Sequence, residues 1–183
     1  SKVADPSTVR ILAKSAAGAR LYIGLRHEDT FSCLRAWIKA IKDPQTAADS
    51  LSSIISQRLV RKLCQTCRIS FTPNAQALRK LNVPPEKVGQ LYKESGKVFI
   101  DKKKTRTQRC PDCLGMGFRG RVAVFEVMAI NDLARDYIAA SNLNQLRAHL
   151  RKQRMLWLQE AALARVVEGA TSIAEITRSL GGK

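Results

Sequence analysis

Arg61-Lys62-Leu63-Cys64-Gln65-Thr66-Cys67 and, after an interval of 42 residues, Cys110-Pro111-Asp112-Cys113 are the stretches on which the reading of this chain turns. Each Cys-x-x-Cys pair puts two sulfurs on one tight turn. Two such turns brought together supply the four soft donors of a tetrahedral Zn²⁺ site, so Cys64, Cys67, Cys110 and Cys113 are the expected ligands. The interval exceeds that of a compact zinc ribbon, so a metal there would clasp a small subdomain at its two ends. Four thiolates fill the tetrahedron and leave no position for water or substrate, which makes the expected zinc structural. The competing readings are two disulfides, or thiols buried as small hydrophobes. A chain with no secretory signal speaks against disulfides. Cys33 lies on an amphipathic stretch and is expected in a core.

Working outward, the composition describes a folded chain with a large basic excess: 183 residues, 32 Lys and Arg against 15 Asp and Glu, and a formal net charge of +17. Such a charge ordinarily indicates nucleic acid or an anionic membrane surface. Part of it is expected to neutralise the thiolates, because Arg61, Lys62, Arg68, Arg109, Arg119 and Arg121 lie near the cysteines in sequence. The run Lys102-Lys103-Lys104-Thr105-Arg106 has no interleaved aromatics on which bases stack, which argues against a nucleic-acid partner. No run of about 18 apolar residues occurs, so no transmembrane helix is expected. The chain opens at Ser1 without an initiator Met, and its first segment reads as the middle of a fold, so further residues are expected upstream.

The periodicities predict an α/β organisation. Residues 7–18 read as a helix. The apolar run 21–25 reads as a buried strand delivering the polar cluster Arg26-His27-Glu28-Asp29. Leu34, Trp37, Ile38 and Ile41 mark an amphipathic helix that stops near Pro44. A second helix is expected to carry Leu51, Ile54 and Ile55. Between the cysteine pairs, helices are expected around 74–81 and 85–94 and a strand at 97–101. The glycines of 115–120 permit positive φ beside the metal site, and 122–128 reads as a strand. From Asn131 the pattern is helical. Met155, Leu158, Ala162 and Val166 form one face of a helix ended by Gly169, and Ser172 and Glu175 form a capping box. The expected division is 1–62, 63–121 and 122–183.

Several stretches, in order and at compatible spacing, resemble the C-terminal half of the type II secretion and type IV pilus assembly ATPases. These are the segment 57–67 entering the cysteine region, 110–121 leaving it, Val124-Phe125-Glu126-Val127, and Gly169-Ala170-Thr171-Ser172 before the last helix. The resemblance implies the C-terminal part of a RecA-like P-loop ATPase core at 1–62. It also implies an inserted four-Cys zinc subdomain at 63–121 and a C-terminal strand and helical region at 122–183. It further implies ATP and Mg²⁺ as cofactors of the complete protein, a hexameric ring, and a cytoplasmic location peripheral to the inner membrane through a platform protein.

The resemblance also marks departures. No Gly-x-x-x-x-Gly-Lys-[Ser/Thr] occurs in the chain, so the phosphate-cradling loop is not among these residues and the chain by itself is not expected to hydrolyse ATP. Ser1-Lys2-Val3-Ala4-Asp5 aligns with the family's Gly-Glu-Ile-Arg-Asp, which places Lys2 at the glutamate that polarises the attacking water and Ala4 at the arginine. Asp5 and Thr8 persist, and Ser7 stands at the glutamate of the family's Glu-Thr pair. The family histidine falls on His27, with Arg26 beside it as the alternative. Arg58 and Arg61 are implied to reach nucleotide or a neighbouring subunit. Three functions follow from this reading. The first is the C-terminal portion of a secretion or pilus motor with a degenerate nucleotide-site edge. The second is an inactive scaffold paralogue of it, and the third, resting on charge alone, is a zinc-stabilised nucleic-acid-binding protein.

Overall fold

Proline and aspartate set the first elements of the computed structural model, which describes residues 5–16, 18–80 and 88–181. Asp5 caps helix α1 (Pro6–Ser15) by accepting from the Thr8 N–H, with Pro6 in the first turn, where its missing N–H costs nothing. Asp29 does the same for α2 (Thr30–Ile41) through Ser32, and Asp43 for α3 (Pro44–Asp49) through Thr46. Lys42, at φ 66°, ends α2 in the left-handed conformation, and Pro44 starts the next helix. Strand β1 (Ser53–Leu63) and strand β6 (Phe118–Ala129) form a two-stranded sheet. The Ile130 N–H donates to the Ser52 carbonyl at one end and the Cys64 N–H to the Gly117 carbonyl at the other, so the strands run in opposite directions. Between them in sequence come β2 (Ile69–Phe71), α4 (Ala75–Lys80), β3 (Leu91–Lys93), β4 (Lys97–Phe99) and β5 (Thr107–Arg109). β2 pairs antiparallel with β3 and β4 with β5. Helices α5 (Asp132–Ala139), α6 (Leu143–Lys152), α7 (Leu158–Val167) and α8 (Ile173–Leu180) complete the chain.

The fold is mixed α/β, as expected, and divides into two compact units. The first comprises residues 1–57 and 125–158, and the second residues 58–124 and 159–183. Compactness therefore groups residues differently from the linear division 1–62, 63–121 and 122–183, because the last 62 residues are shared between units. In the first unit Phe31, Leu34, Met128, Ile138, Leu146 and Leu150 form the main core, and Val9, Ala13, Trp37, Ile41 and Ala47 a second one. Cys33 packs partly buried against the main core, and burial raises its thiol pKa.

Four expectations are corrected. Leu51, Ile54 and Ile55 are not helical: α3 ends at Asp49, and the β-branched Ile54 and Ile55 enter β1 with Ile54 buried and Ile55 exposed. Residues 21–25 form no strand, since none of the three sheets among the described residues pairs with them, and Tyr22 is 89% exposed. The helix expected over 85–94 lies partly outside the described residues, and its end is instead strand β3. Met155 precedes α7 rather than sharing its face. The other expected helices and strands lie close to where the periodicities place them, with β6 longer than expected at its start, while β2 and β5 have no counterpart among the expectations.

Candidate metal centre

In the second unit, β1 ends at Leu63 and the chain turns at once through Cys64-Gln65-Thr66-Cys67, while β5 ends at Arg109 and turns through Cys110-Pro111-Asp112-Cys113. Both turns are held by the backbone. The Arg68 N–H donates to the Cys64 carbonyl at 3.0 Å, and the Gly115 N–H to the Cys110 carbonyl at 3.2 Å. The turns are also tied to their surroundings: the Cys64 N–H donates to the Gly117 carbonyl at 3.0 Å and the Cys110 N–H to the Gly96 carbonyl at 2.9 Å. Across the top, the Thr66 hydroxyl donates to the Asp112 carboxylate. Gly96, Gly115 and Gly117 all have φ between 73° and 80°. At Gly96 a Cβ would sit 2.2 Å from the Gly115 carbonyl oxygen, so no other residue fits the contact between the β4 entry and the second turn.

The result is four buried sulfurs, all within 4.8 Å of one another. Cys64 and Cys110 Sγ are 3.9 Å apart, and Cys67 and Cys113 Sγ 3.6 Å. These separations are far beyond a disulfide bond of about 2.05 Å. They bracket the edge of about 3.8 Å of a tetrahedron with metal–sulfur bonds of about 2.3 Å. Val98 packs on the cluster and closes it from the side. The surroundings shift two of the thiols in opposite directions. Burial pushes Cys67 up to about 12. For Cys113, burial opposes ionisation, but the Gly117 N–H, at 3.2 Å from its sulfur, and the Cys67 and Cys110 thiols bring it down to about 7. The four residues thus fit a soft divalent metal.

Three of the nearby arginines have partners other than the sulfurs. Arg61 is held by Glu175, with Nε and Nη2 donating to Oε2 at 2.8 and 2.6 Å, and its guanidinium lies 4.1 Å from the centre of the Phe118 ring. Arg68 donates to the Gly169 carbonyl at 2.7 Å and stacks on Tyr92 at 4.0 Å. Arg109 donates to the Leu114 carbonyl at 2.6 Å, and Lys62, Arg119 and Arg121 are exposed.

Glu175 is the residue the sequence reading undervalued. Its backbone N–H donates to the capping Ser172 Oγ at 3.3 Å, but its carboxylate does not return to Ser172. Instead it is fully buried, takes the Arg61 N–H at 2.9 Å as well as the two Arg61 side-chain bonds, and accepts from Arg178 Nε and Nη2 at 2.8 and 2.7 Å. Although burial disfavours its charge, the hydrogen bonds from Arg178 and Arg61 hold its pKa well below the usual glutamate range. With Thr171 Oγ1 donating to the Arg61 carbonyl at 2.8 Å, β1 is fastened to the start of α8 beside the cluster.

The remaining candidates lie elsewhere. Arg26 is exposed and His27 half-buried on the irregular segment leading to α2, in the first unit, whereas Arg58 and Arg61 belong to the second. Lys2 and Ala4 lie outside the described residues, and Asp5 and Ser7 are engaged with each other at the α1 cap. In the first unit, a buried Glu126 on β6 accepts from the Thr30 N–H at 3.0 Å, from the Thr30 hydroxyl and from the Leu158 N–H at 2.7 Å, so one carboxylate caps the starts of both α2 and α7. The alternation Val124, Glu126, Met128 was the signal, since it places an acid at an inward register position. A cavity of about 530 Å³ in the same unit is lined by Leu12, Cys33, Trp37 and Arg135, whose guanidinium is occupied by the Ala48 and Leu51 carbonyls.

Comparison with known proteins gives a consistent answer. The family model described as type II/IV secretion system protein matches residues 9–178. The type IV pilus assembly ATPase PilB of Thermus thermophilus is 26% identical over 179 residues, covering 96% of this chain and 19% of that protein. PilB of Myxococcus xanthus is 28% identical, covering 96% of this chain and 30% of its own length. The type II secretion system ATPase E of Vibrio cholerae is 24% identical, covering 97% and 33%. The chain thus spans about a fifth to a third of the relatives it matches. Among the described residues no helix is long and apolar enough to cross a membrane.

Proposed function

Since the chain belongs to the type II/IV secretion system protein family, we propose that it is the C-terminal portion of a secretion or pilus-assembly motor ATPase built around a structural zinc clasp. The observation that carries the reading is the buried four-sulfur cluster, with separations suited to a tetrahedral ion, within a chain that the family model matches almost end to end. On this reading the first residues complete a RecA-like core, residues 63–121 are the zinc subdomain and the helices after β6 are the C-terminal region.

Cys64, Cys67, Cys110 and Cys113 would hold the Zn²⁺, which supplies a cross-link and, with four thiolates, no open position for chemistry. The chain's own part is mechanical. The excursion of residues 68–109 has its two ends fixed by the paired turns, by Thr66 to Asp112 and by Cys110 to Gly96, while Glu175 fastens β1 to α8. Force reaching β1 from a nucleotide domain therefore passes into a cross-linked subdomain rather than unravelling a loop. His27 or Arg26 would stand at the edge of the ATP and Mg²⁺ site of the complete protein, and Arg58 and Arg61 would face nucleotide or a neighbouring subunit of a hexamer. The location would be cytoplasmic, at the inner membrane through platform and other machinery proteins.

The second reading, a nucleotide-independent scaffold paralogue, is favoured by Lys2, Ala4 and Ser7, which replace a glutamate, an arginine and a glutamate of the family pattern. Mg²⁺-dependent ATP turnover by the full-length gene product separates the two. Turnover supports the motor. A folded, zinc-loaded product without turnover removes it and leaves the scaffold.

A further inference from the structure

Helix α6 and the turn after it hold a concentration of charge that the metal centre does not use. Residues 143–158 include Arg147, Arg151, Lys152 and Arg154, all exposed, and no Asp or Glu. The helix dipole accounts for Arg151 and Lys152, which lie in the last turn of α6, where cations are favoured. It accounts neither for Arg147, one turn earlier, nor for the exposed Arg35 in the N-terminal half of α2. Packing within the first unit gathers these side chains. The half-buried Trp157 tilts against Phe31 with ring centres 5.6 Å apart. The Arg147 guanidinium lies 4.7 Å from the centre of the Phe31 ring and 5.3 Å from that of Trp157, and the Arg151 guanidinium lies 5.4 Å from that of Trp157. One indole therefore holds two guanidiniums that stand a helical turn apart. Arg35 joins them at Asp29. Burial raises the Asp29 pKa, but its Ser32 hydrogen bonds and the charges of Arg35 and Arg147 bring it below the usual aspartate value. That carboxylate is committed to the α2 cap, through the Ser32 N–H at 2.6 Å.

We propose that Arg35, Arg147 and Arg151, gathered around Trp157, form a docking surface for an acidic segment of a partner protein. Each guanidinium is a planar fork that takes a carboxylate through two parallel N–H···O bonds, and two of the three are held by a ring before any partner arrives. Less side-chain freedom is then lost on binding. Tryptophan and arginine are also the residue types that carry most of the energy at protein interfaces. Single-stranded nucleic acid fits less well. Phe31 is 3% exposed and Trp157 is shared with two arginines, so no succession of open rings is offered to bases. The surface belongs to the first unit, and the proposal does not depend on the motor reading.

The test is fluorescence anisotropy of a labelled peptide of four Glu-Glu-Leu repeats binding to the 183-residue chain, with Gln-Gln-Leu repeats as the control. The acidic peptide should bind and the control should not. A hydrogen bond to a charged partner is worth roughly tenfold or more, and less where water screens it, so Arg147→Gln with Arg151→Gln should weaken binding about thirtyfold. Arg147→Lys with Arg151→Lys, which keeps the charge and removes both forks, should weaken it roughly fivefold. The loss of two exposed charges from α1 instead, by Arg10→Gln with Lys14→Gln, should change it by only about twofold. An unchanged urea midpoint by tryptophan fluorescence reports that the first unit of each variant is folded. Equal weakening by the α1 pair, or full binding by the Arg147→Lys with Arg151→Lys variant, would reduce the effect to net charge and overturn the proposal. So would no binding of the acidic peptide, or an oligonucleotide bound more tightly and lost with the same arginines.

Discussion

Replacing Glu175 by Gln should weaken the second unit by about 3 kcal/mol, a value set by what its carboxylate holds. The side chain is fully buried, while Arg61 and Arg178 are 44% and 59% exposed. Breaking a buried pair costs roughly 3–5 kcal/mol when the surviving charge stays buried. Here both guanidiniums can turn to water, which moves the cost to the low end of that range. Gln still offers one oxygen to the Arg61 N–H, but its amide nitrogen meets arginine donors. Glu175→Ala leaves that N–H unpaired as well and should cost about 1 kcal/mol more. Trp37 and Trp157 both belong to the first unit, so tryptophan fluorescence does not report this loss. Hydrogen exchange of residues 58–63 and 173–180 does, and a 3 kcal/mol loss shortens their protection by roughly two orders of magnitude. The pH dependence follows from the depressed folded pKa. The contribution of Glu175 is complete above the ordinary glutamate value of 4.5 and is lost as pH falls below it. The difference between the native chain and Glu175→Gln should therefore be full at pH 7 and shrink on acidification below 4.5. Protection changed by less than about threefold at pH 7, or a difference independent of pH, would refute the reasoning.

Cys110→Ser should abolish stoichiometric zinc and expose amides throughout 64–113, because structural zinc supplies folding free energy directly; unchanged metal content and thermal stability would end the clasp account. Gly96→Ala should destabilise the second unit by roughly 3 kcal/mol, from the positive φ and the 2.2 Å approach to the Gly115 carbonyl oxygen, read as a lower Tm for zinc release. Glu126→Leu should cost roughly 2–4 kcal/mol, because it removes the shared acceptor at the starts of α2 and α7 and leaves the Thr30 and Leu158 N–H groups buried without a partner, although Asp29 still caps α2. That change falls in the first unit, so urea unfolding followed by tryptophan fluorescence should show it as a reduced midpoint.

The legible parts of this chain were those encoded over a few neighbouring residues. Two Cys-x-x-Cys turns announce a four-sulfur site regardless of what lies between them. Aspartate followed within a few residues by a helical stripe places α2, and the glycines at 115 and 117 mark the turns that the second pair needs. Short apolar runs were ambiguous for a stated reason: Leu51, Ile54 and Ile55 satisfy a helical period, and only pairing with β6 makes the latter two a strand. Residues 21–25 have strand composition, but composition cannot provide a neighbour. Arginine partners were the least legible, since proximity in sequence to a cysteine says little about direction. Arg61 finds its carboxylate 114 residues away, and Glu175 resembles an ordinary capping-box acid until that contact is seen.

Metal analysis with thiol titration, on protein purified under reducing conditions without added zinc, tests the central claim most directly. The account requires one zinc per chain and one thiol, that of Cys33, titrated without chelation, with the other four released only on chelation. A chain without metal and with five reactive thiols would contradict it.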